Sequence, residues 1–158
     1  MKWEETISDN REPYLQAGRV DLVLASYSIT DDRQKVVGQA GPYMVTGQQI
    51  LVKSDSSVKS IDDLKGKEVC SVTGSTSLEN VKAKGAKGVG ADSYSECAEK
   101  VLDGTYPAMS TDGTILAGLA AQNEGEPEGR GRPVLDREHR CRLRQGPPRV
   151  CASGSTAC

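Results

Sequence analysis

Two stretches of the chain carry residue types that can hold the carboxylate of a small molecule. Residues 25–33 end in Arg33, whose guanidinium can grip a carboxylate through two parallel charge-assisted hydrogen bonds. Within the same stretch, Ser28 can donate to a carboxylate or accept from an ammonium group. The alternative without a ligand is that Arg33 pairs with Asp31 or another nearby acid on a solvated face. Residues 73–77 form the second stretch, a predicted strand-to-helix turn whose free backbone N–H groups suit an anion.

A carboxylate of the chain itself is the third feature. Asp112 follows a predicted short strand, and ligand clefts in α/β proteins form at the carboxyl ends of strands. There it can hold an ammonium group. Asp112 and the turn at 73–77 both have a bland alternative, which is an ordinary helix N-cap. Taken together, an arginine and a helix start for a carboxylate and an acid for an amine match the charges of an α-amino acid.

Other chemistry has little support in the sequence. The chain shows no zinc-ligand spacing, no Walker loop and no Ser-His-Asp arrangement, and the single histidine is His139 near the C-terminus. We therefore expect a protein that is not an enzyme, with no cofactor and no metal site. A formal net charge of −2 argues against a surface that is basic throughout and binds nucleic acid.

Strand and helix signals alternate along the body of the chain, which predicts an α/β fold. Strands are predicted at residues 21–25, 68–72 and 108–111, with a long extended segment at 43–53. Helices are predicted to begin near Ser8, Thr30, Gly74 and Ser93, and an apolar one follows Asp112. Ser60 and Asp63 have the spacing of a capping box.

Four colinear stretches give the chain a family resemblance: 21–37 with Ser-Ile-Thr-Asp-Asp-Arg, 41–53 with Gly-Pro-Tyr-Met-Val-Thr-Gly-Gln-Gln-Ile-Leu-Val-Lys, 60–77 with Val-Thr-Gly-Ser-Thr-Ser, and 103–116 with Ala-Met-Ser-Thr-Asp. In this order they resemble the polar amino-acid-binding proteins of bacterial ABC importers, extracellular solute-binding family three. Among these, the likeness is greatest to actinobacterial glutamate-binding proteins. It extends over about residues 1–124.

The resemblance implies a periplasmic-binding-protein-like fold of two α/β lobes, joined by crossing strands, with the ligand between them. On this basis residues 1–48 are a partial first lobe with the first crossing strand, and residues 49–124 are the second lobe. The fold is therefore expected to be incomplete.

The resemblance also assigns roles to residues. In the first lobe, Ser26 offers its main-chain carbonyl to the α-ammonium group, Ser28 lies between ammonium and carboxylate, and Arg33 clamps the α-carboxylate. In the second lobe, Ser75 and Thr76 form the anion-binding turn and Asp112 pairs with the ammonium group.

The partners follow from the family as well. The ligand is expected to be an amino acid, with glutamate favoured, and the closed form is expected to be recognised by the membrane permease of an ABC importer. We expect a monomer that binds no nucleic acid. Relatives act outside the cytoplasm, secreted or lipid-anchored, whereas this sequence shows no export signal, so the chain as written is expected to stay cytoplasmic.

Two cysteines belong to the body that carries the resemblance. Cys70 lies on a predicted strand and Cys97 on a neighbouring helix, with 26 residues between them. A disulfide here suits an exported protein and would contribute about 3 kcal/mol by restricting the unfolded chain. The alternative is a pair of buried free thiols.

The last 34 residues differ in composition from the rest. Residues 1–124 carry 10 Lys and 3 Arg against 18 acids, a net charge of −5, whereas residues 125–158 carry 7 Arg, no Lys and 4 acids, a net charge of +3. Codons for residues 129–135 can be read one base later as Val-Val-Gly-Asp-Pro-Phe, which resembles the family's next strand. We therefore predict a frameshift shortly before Gly129 and a foreign or disordered tail. Cys141, Cys151 and Cys158 receive no role.

Other functions remain open from the sequence. One alternative is a dehydratase-type enzyme on the same fold, and another is a nucleic-acid-binding protein that uses the Arg-rich tail. Met1 is predicted to be an internal start site. Members of the family that the chain resembles have Val-Lys-Trp where this chain has Met-Lys-Trp, and a Val codon, GTG, can also be read as a start. With part of the first lobe missing, we expect a marginal, aggregation-prone fold and weak or absent amino-acid binding.

Overall fold

The computed structural model describes residues 1–122 and the backbone of residues 132–135. Residues 1–47, here called the N-terminal region, contain a 3-10 turn at Ser8–Asn10 and two short helices, α1 (Arg11–Gln16) and α2 (Asp31–Gln34). Residues 48–122, here called the sheet region, contain the remaining regular structure apart from the last described strand.

Strands and helices alternate through the sheet region, which confirms the predicted α/β class. In chain order the elements are β1 (Gln48–Val52), a 3-10 turn (Ile61–Leu64), β2 (Glu68–Val72), α3 (Thr76–Ala83), β3 (Lys87–Ala91), α4 (Tyr94–Leu102), β4 (Ala108–Asp112) and α5 (Gly113–Gln122). A last strand, β5 (Arg132–Leu135), follows.

The five strands of the described residues form one sheet in the order β3-β2-β4-β1-β5. β2 runs parallel to β3 and β4, whereas β1 is antiparallel to β4 and β5, with Gln48 opposite Asp112. The carboxyl ends of β2 and β4 therefore meet at one edge of the sheet, beside the start of β1. The turn into α3 and Asp112 both lie at this edge.

Apolar side chains of the strands alternate between two buried clusters, one on each face of the sheet. On β1, Ile50 and Val52 belong to one cluster and Leu51 to the other; on β4, Ala108 and Met109 divide in the same way. This period of two is what a strand covered on both faces requires. Helix α3 covers the first face, and α4 and α5 cover the second.

Hydroxyl side chains cap three of the predicted helix starts, whereas the predicted start near Ser8 has no side-chain capping hydrogen bond. Thr30, Ser75 and Ser93 each accept a hydrogen bond from the backbone N–H three residues on, which satisfies a group that the first turn leaves unpaired. Ser60 and Asp63 form the predicted capping box at the 3-10 turn.

The predicted strand at 21–25 is not found. No strand among the described residues pairs with this segment, and two of its apolar side chains are exposed, Leu22 by 65% and Leu24 by 62%. A strand needs a neighbour for its backbone hydrogen bonds, and an apolar run alone does not supply one. The extended segment predicted at 43–53 likewise becomes a strand only from Gln48, where β4 lies alongside.

Strand β3 was not predicted, because its sequence is Lys-Gly-Val-Gly-Ala and glycine is rare in strands. The structure explains both glycines by close packing. A Cβ on Gly88 would lie 2.9 Å from the Leu78 side chain, and one on Gly90 would lie 2.5 Å from the Thr73 hydroxyl. Small residues at these positions let α3 and its preceding turn rest directly on the strand.

Four residues of the segment predicted to be a foreign or disordered tail form β5, which pairs with β1 at the edge of the sheet. The rest of residues 125–158 lies outside the described residues, and this includes the predicted frameshift site near Gly129 and the three cysteines Cys141, Cys151 and Cys158. The frameshift therefore stays a prediction, with the coding DNA as its test.

Candidate functional site

A cavity of about 190 Å³ lies between the N-terminal region and the carboxyl end of β4. Ser26, Ser28 and Asp112 supply polar groups to its wall, and most of the remaining wall is apolar. Its lining residues are Ala25, Ser26, Tyr27, Ser28, Ile29, Ala40, Pro42, Tyr43, Met44, Val45, Thr46 and Asp112. Three of the six residues predicted to bind a ligand therefore face one shared space.

Asp112 presents a carboxylate without a close partner to this cavity. Among the described residues, no hydrogen bond or ion pair involves its side chain, so it does not act as the N-cap that the bland alternative foresees. Burial raises the pKa of the Asp112 carboxyl, and the positive charge of Arg11 acts in the opposite direction. An ionised Asp112 is therefore a partly desolvated anion that would gain from a cation in the cavity.

Ser26 and Ser28 line the cavity from the N-terminal region. The main-chain carbonyl of Ser26 accepts a long hydrogen bond of 3.4 Å from Arg11 Nη1. The Ser28 hydroxyl lies 3.0 Å from the Thr76 hydroxyl at the start of α3. This contact joins the N-terminal region to the sheet region at the rim of the cavity.

Arg33 lies beside this contact rather than in the cavity wall. Its Nη1 donates to the Ser28 carbonyl at 3.1 Å, its Nη2 donates to the Gly74 carbonyl at 3.0 Å, and its Nε lies 3.1 Å from Glu12 Oε1. The side chain is only 12% exposed, so its acidic partner is Glu12 in a sheltered position and not Asp31 on a solvated face. Arg33 thus bridges the two regions with donors that also suit a carboxylate.

The turn before α3 serves two purposes. The Ser75 hydroxyl caps the helix by accepting from the Leu78 N–H at 3.2 Å, and it also lies 3.2 Å from the Ser71 hydroxyl. The bland alternative of an ordinary N-cap therefore holds for the Ser75 side chain. The N–H groups of Thr76 and Ser77, in the first turn, have no acceptor within the helix and remain suited to an anion.

The six predicted residues form two groups that share a member. Ser28, Arg33, Ser75 and Thr76 lie at the junction of the N-terminal region with α3. Ser26, Ser28 and Asp112 line the cavity. Their roles toward a ligand stay predictions, because proximity shows only that one molecule can reach them together.

Sequence reasoning missed three residues that surround Arg33. Arg11 is only 5% exposed, and its Nε donates to the Ser8 carbonyl at 2.9 Å. Burial lowers the pKa of Arg11, and the neighbouring charge of Arg33 lowers it further. Tyr27 places its ring 4.4 Å from the Arg11 guanidinium and 4.5 Å from that of Arg33, and its hydroxyl donates to Glu12. The adjacent charges at 11 and 12 look like a solvated helix start, so the sequence offered no signal of their burial.

Cys70 and Cys97 lie away from the cavity. Both are fully buried, their Cα atoms are 5.6 Å apart, and a disulfide joins them, linking β2 to α4 beneath the second face of the sheet. The bridge contributes to the core and does not line the cavity.

Within the part of the chain that the structure describes, no group of three or more His, Cys, Asp or Glu residues is arranged to hold a metal ion. None of the helices in that part has the length and apolar composition needed to cross a membrane.

Comparison with known proteins decides the family. The model for bacterial extracellular solute-binding proteins, family 3, matches residues 1–148. The chain belongs to this family. The match extends through most of residues 125–158, the segment whose composition differs from the rest.

Two curated relatives illustrate the relationship. The glutamate-binding protein GluB of Corynebacterium efficiens is 43% identical over 130 residues, which cover 80% of this chain and 44% of that protein. The ABC transporter glutamine-binding protein GlnH of Bacillus subtilis is 34% identical over 148 residues, which cover 92% of this chain and 54% of that protein. The chain thus spans about half the length of these relatives.

A solved structure agrees with the family assignment. The ancestral amino acid-binding protein AncCDT-1, described as a precursor of cyclohexadienyl dehydratase, superposes with a TM-score of 0.75 at 32% identity. The superposition covers 85% of this chain and 59% of that protein. The periplasmic-binding-protein-like fold class predicted from the sequence is confirmed.

Proposed function

We propose that this chain is part of the substrate-binding component of an amino-acid ABC importer and that it holds an α-amino acid, with glutamate favoured. The observation that carries the proposal is the carboxylate of Asp112, which faces the cavity with no hydrogen-bond or ion-pair partner in residues 1–122. An α-ammonium group placed there would pair with Asp112 and could donate to the Ser26 carbonyl. Family relatives named for glutamate and glutamine binding support the same ligand class.

The carboxylate end of the ligand is assigned to the junction of Ser28, Arg33 and Thr76. In the structure, Arg33 Nη1 and Nη2 donate to the carbonyls of Ser28 and Gly74. A ligand carboxylate is a stronger acceptor than a neutral carbonyl, so it would replace these bonds with a bidentate ion pair. The hydroxyls of Ser28 and Thr76, now bonded to each other, would both turn to the ligand.

Arg11 supports glutamate as the ligand. Its guanidinium is buried and bonds to the carbonyls of Ser8 and Ser26, and no carboxylate of the described residues forms an ion pair with it. The carboxylates of Glu12 and Asp112 act on this charge without forming an ion pair with it, so a carboxylate in direct contact with Arg11 would still be favoured. The side-chain carboxylate of glutamate would supply that anion, whereas the amide of glutamine would not.

Recognition by a membrane permease and a change of shape on binding complete the proposal. Arg33 and the Ser28–Thr76 contact already join the N-terminal region to the sheet region, so a ligand bound among them would stabilise the joined arrangement. The dehydratase alternative is not favoured, because the matching relatives are named as binding proteins. The nucleic-acid alternative rests on a segment that lies outside the described residues.

An NMR titration of the full 158-residue chain with L-glutamate tests the proposal. We expect saturable shifts at the amides of Ser28, Thr76 and Asp112, with a dissociation constant of about 1 mM, equivalent to about −4 kcal/mol. Asp112→Asn should weaken binding at least about 30-fold, because it removes one partner of a partly desolvated charge pair. Asp55→Asn, in an exposed turn, is the matched control and should bind like the parent chain. Shifts that never saturate, or equal binding by Asp112→Asn, would contradict the proposal.

A further inference from the structure

Glu12 and Tyr27 form a support behind Arg33, on the side away from the two carbonyls. Glu12 Oε1 lies 3.1 Å from Arg33 Nε and accepts a 2.5 Å hydrogen bond from the Tyr27 hydroxyl. The Tyr27 ring lies 4.5 Å from the same guanidinium. Arg33 is therefore fixed through its Nε and through one face, and Nη1 and Nη2 are left to point at the junction with α3.

The protonation states of this support are well defined at neutral pH. Although burial acts to raise it, the pKa of Glu12 is lowered overall by the hydrogen bond from Tyr27, by a backbone N–H and by the charge of Arg33. Burial and the carboxylate of Glu12 raise the pKa of Tyr27 to about 12. Glu12 is thus an anion that only accepts, and Tyr27 is a neutral phenol that donates to it.

The support also makes room for two like charges. The guanidinium groups of Arg11 and Arg33 both lie over the ring of Tyr27, at 4.4 and 4.5 Å. Two cations that share one ring repel each other. The negative face of the aromatic ring and the Glu12 carboxylate offset that repulsion. Without Glu12 and Tyr27, Arg33 would be free to swing away from Arg11.

We propose that Glu12 and Tyr27 are positioning residues that aim the Nη1 and Nη2 atoms of Arg33 at the carboxylate of the ligand. This inference rests on the proposed function and adds to it residues that would not touch the ligand. The Glu12 carboxylate forms its ion pair on the Nε side of Arg33, so the donors that face the junction with α3 are Nη1 and Nη2, the pair suited to a bidentate contact. The bound carboxylate then replaces the carbonyls of Ser28 and Gly74.

The chain contains its own matched control. Glu4 forms an ion pair with Arg19, and the Arg19 guanidinium lies 4.1 Å from the ring of Tyr14, so the same three residue types meet a second time. That trio is exposed and far less sheltered, with 54% of the Arg19 side chain in solvent. If Glu12 and Tyr27 position Arg33, substitutions in their trio should change the behaviour of Arg33, and the same substitutions in the Arg19 trio should not.

The first experiment needs no ligand. In the ¹⁵N-labelled full chain, the Nε–H signal of Arg33, assigned by its loss in Arg33→Lys, should exchange slowly with water. We expect Glu12→Gln to speed this exchange at least about tenfold and Tyr27→Phe to speed it less, since the ring remains. Glu4→Gln and Tyr14→Phe should leave it unchanged. Unchanged exchange in Glu12→Gln, with the amides of β2 still at their parent positions, would overturn the proposal.

The second experiment titrates the same variants with L-glutamate. We expect Glu12→Gln to bind about tenfold more weakly and Tyr27→Phe about threefold more weakly, with Glu4→Gln equal to the parent. Equal or tighter binding by Glu12→Gln would overturn the proposal, and tighter binding would show that Glu12 competes with the ligand carboxylate. If Glu12→Gln does not fold, Tyr27→Phe alone decides, since it keeps the ring and all charges. A parent chain that binds no amino acid would instead refute the proposed function, while the exchange experiment still reports on Arg33.

Discussion

The two regions of the molecule are held in different ways. The sheet region buries apolar side chains on both faces of its strands, and its helices begin at well-placed caps. The N-terminal region contains no strand among the described residues, exposes apolar side chains such as Leu22 and Leu24, and is held by arginine contacts and hydroxyl contacts. Apolar packing thus defines the scaffold, and polar contacts to that scaffold define the site.

The largest expected difference between the regions is in the cost of removing an apolar side chain. Met109→Ala in the sheet region should lower the free energy of unfolding by about 2–5 kcal/mol, because Met109 is fully buried in the second cluster. Leu24→Ala in the N-terminal region should change it by less than about 0.5 kcal/mol, because Leu24 is exposed. Urea unfolding of both variants checks the comparison, and similar losses would show that the N-terminal region also packs as a core.

The disulfide offers the next largest effect, confined to the sheet region. Replacing Cys70 and Cys97 together by Ala should lower the free energy of unfolding by about 3 kcal/mol, since the bridge closes a loop of this length in the unfolded chain. Glutamate binding at the junction should change little, because both cysteines lie away from the cavity. Urea unfolding combined with the titration measures the two effects. Mass spectrometry showing two free thiols in the parent chain would contradict the account.

Gly74, in the turn before α3, lies in close contact with the N-terminal region. It has φ +74°, and an added Cβ would lie 2.9 Å from the backbone of Asp9 in the N-terminal region. Gly74→Ala should therefore cost about 1–2 kcal/mol for the left-handed conformation alone and should also push the two regions apart. Amide shifts of Asp9 and Ser28 report the separation, with Gly66→Ala, a left-handed glycine with open space around it, as the control. Equal responses in both variants would show that the contact with Asp9 is unimportant.

The smallest expected effect is a dependence on pH that belongs to the N-terminal region. The pKa of Glu12 is lower in the folded chain than its ordinary value, so the tie to Arg33 is fully present above the unfolded-state pKa. It is lost as the pH falls through the lower folded-state pKa. We expect the Arg33 Nε signal to move in that acidic range while the amides of Leu51 and Val52 in β1 stay in place. If the Arg33 signal and the reference amides moved together, the two regions would not differ in their dependence on pH.

The division between the regions also explains what the sequence could predict. Periodic apolar residues and hydroxyl caps identified β2, α3, α4, β4 and α5, because those signals report local structure and burial together. β3 was not predicted because it contains Gly88 and Gly90. These glycines are required by the close approach of α3 and its preceding turn, which the sequence pattern does not show. The run at 21–25 looked like a strand, yet a strand depends on a partner that the run itself does not specify.

For the site, the sequence pointed to Ser28, Thr76 and Asp112, which the fold brings to one edge. Thr76 and Asp112 share this edge because they lie at the carboxyl ends of the parallel strands β2 and β4, and Ser28 reaches the edge through its contact with Thr76. Glu12 and Tyr27 escaped notice, because the burial of a charged or hydroxylated side chain arises only when distant segments meet. Residues that hold another residue in place leave no pattern in the sequence.

The central claim is that Asp112 receives the ammonium group of an amino acid. The most direct test is to titrate the parent chain and Asp112→Asn with L-glutamate and with 2-oxoglutarate, which keeps both carboxylates and replaces the amine by a keto oxygen. The account predicts that the parent chain binds glutamate at least about 30-fold more tightly and that Asp112→Asn loses this preference. A parent chain that binds both compounds equally, or an Asp112→Asn variant that still prefers glutamate, would contradict it.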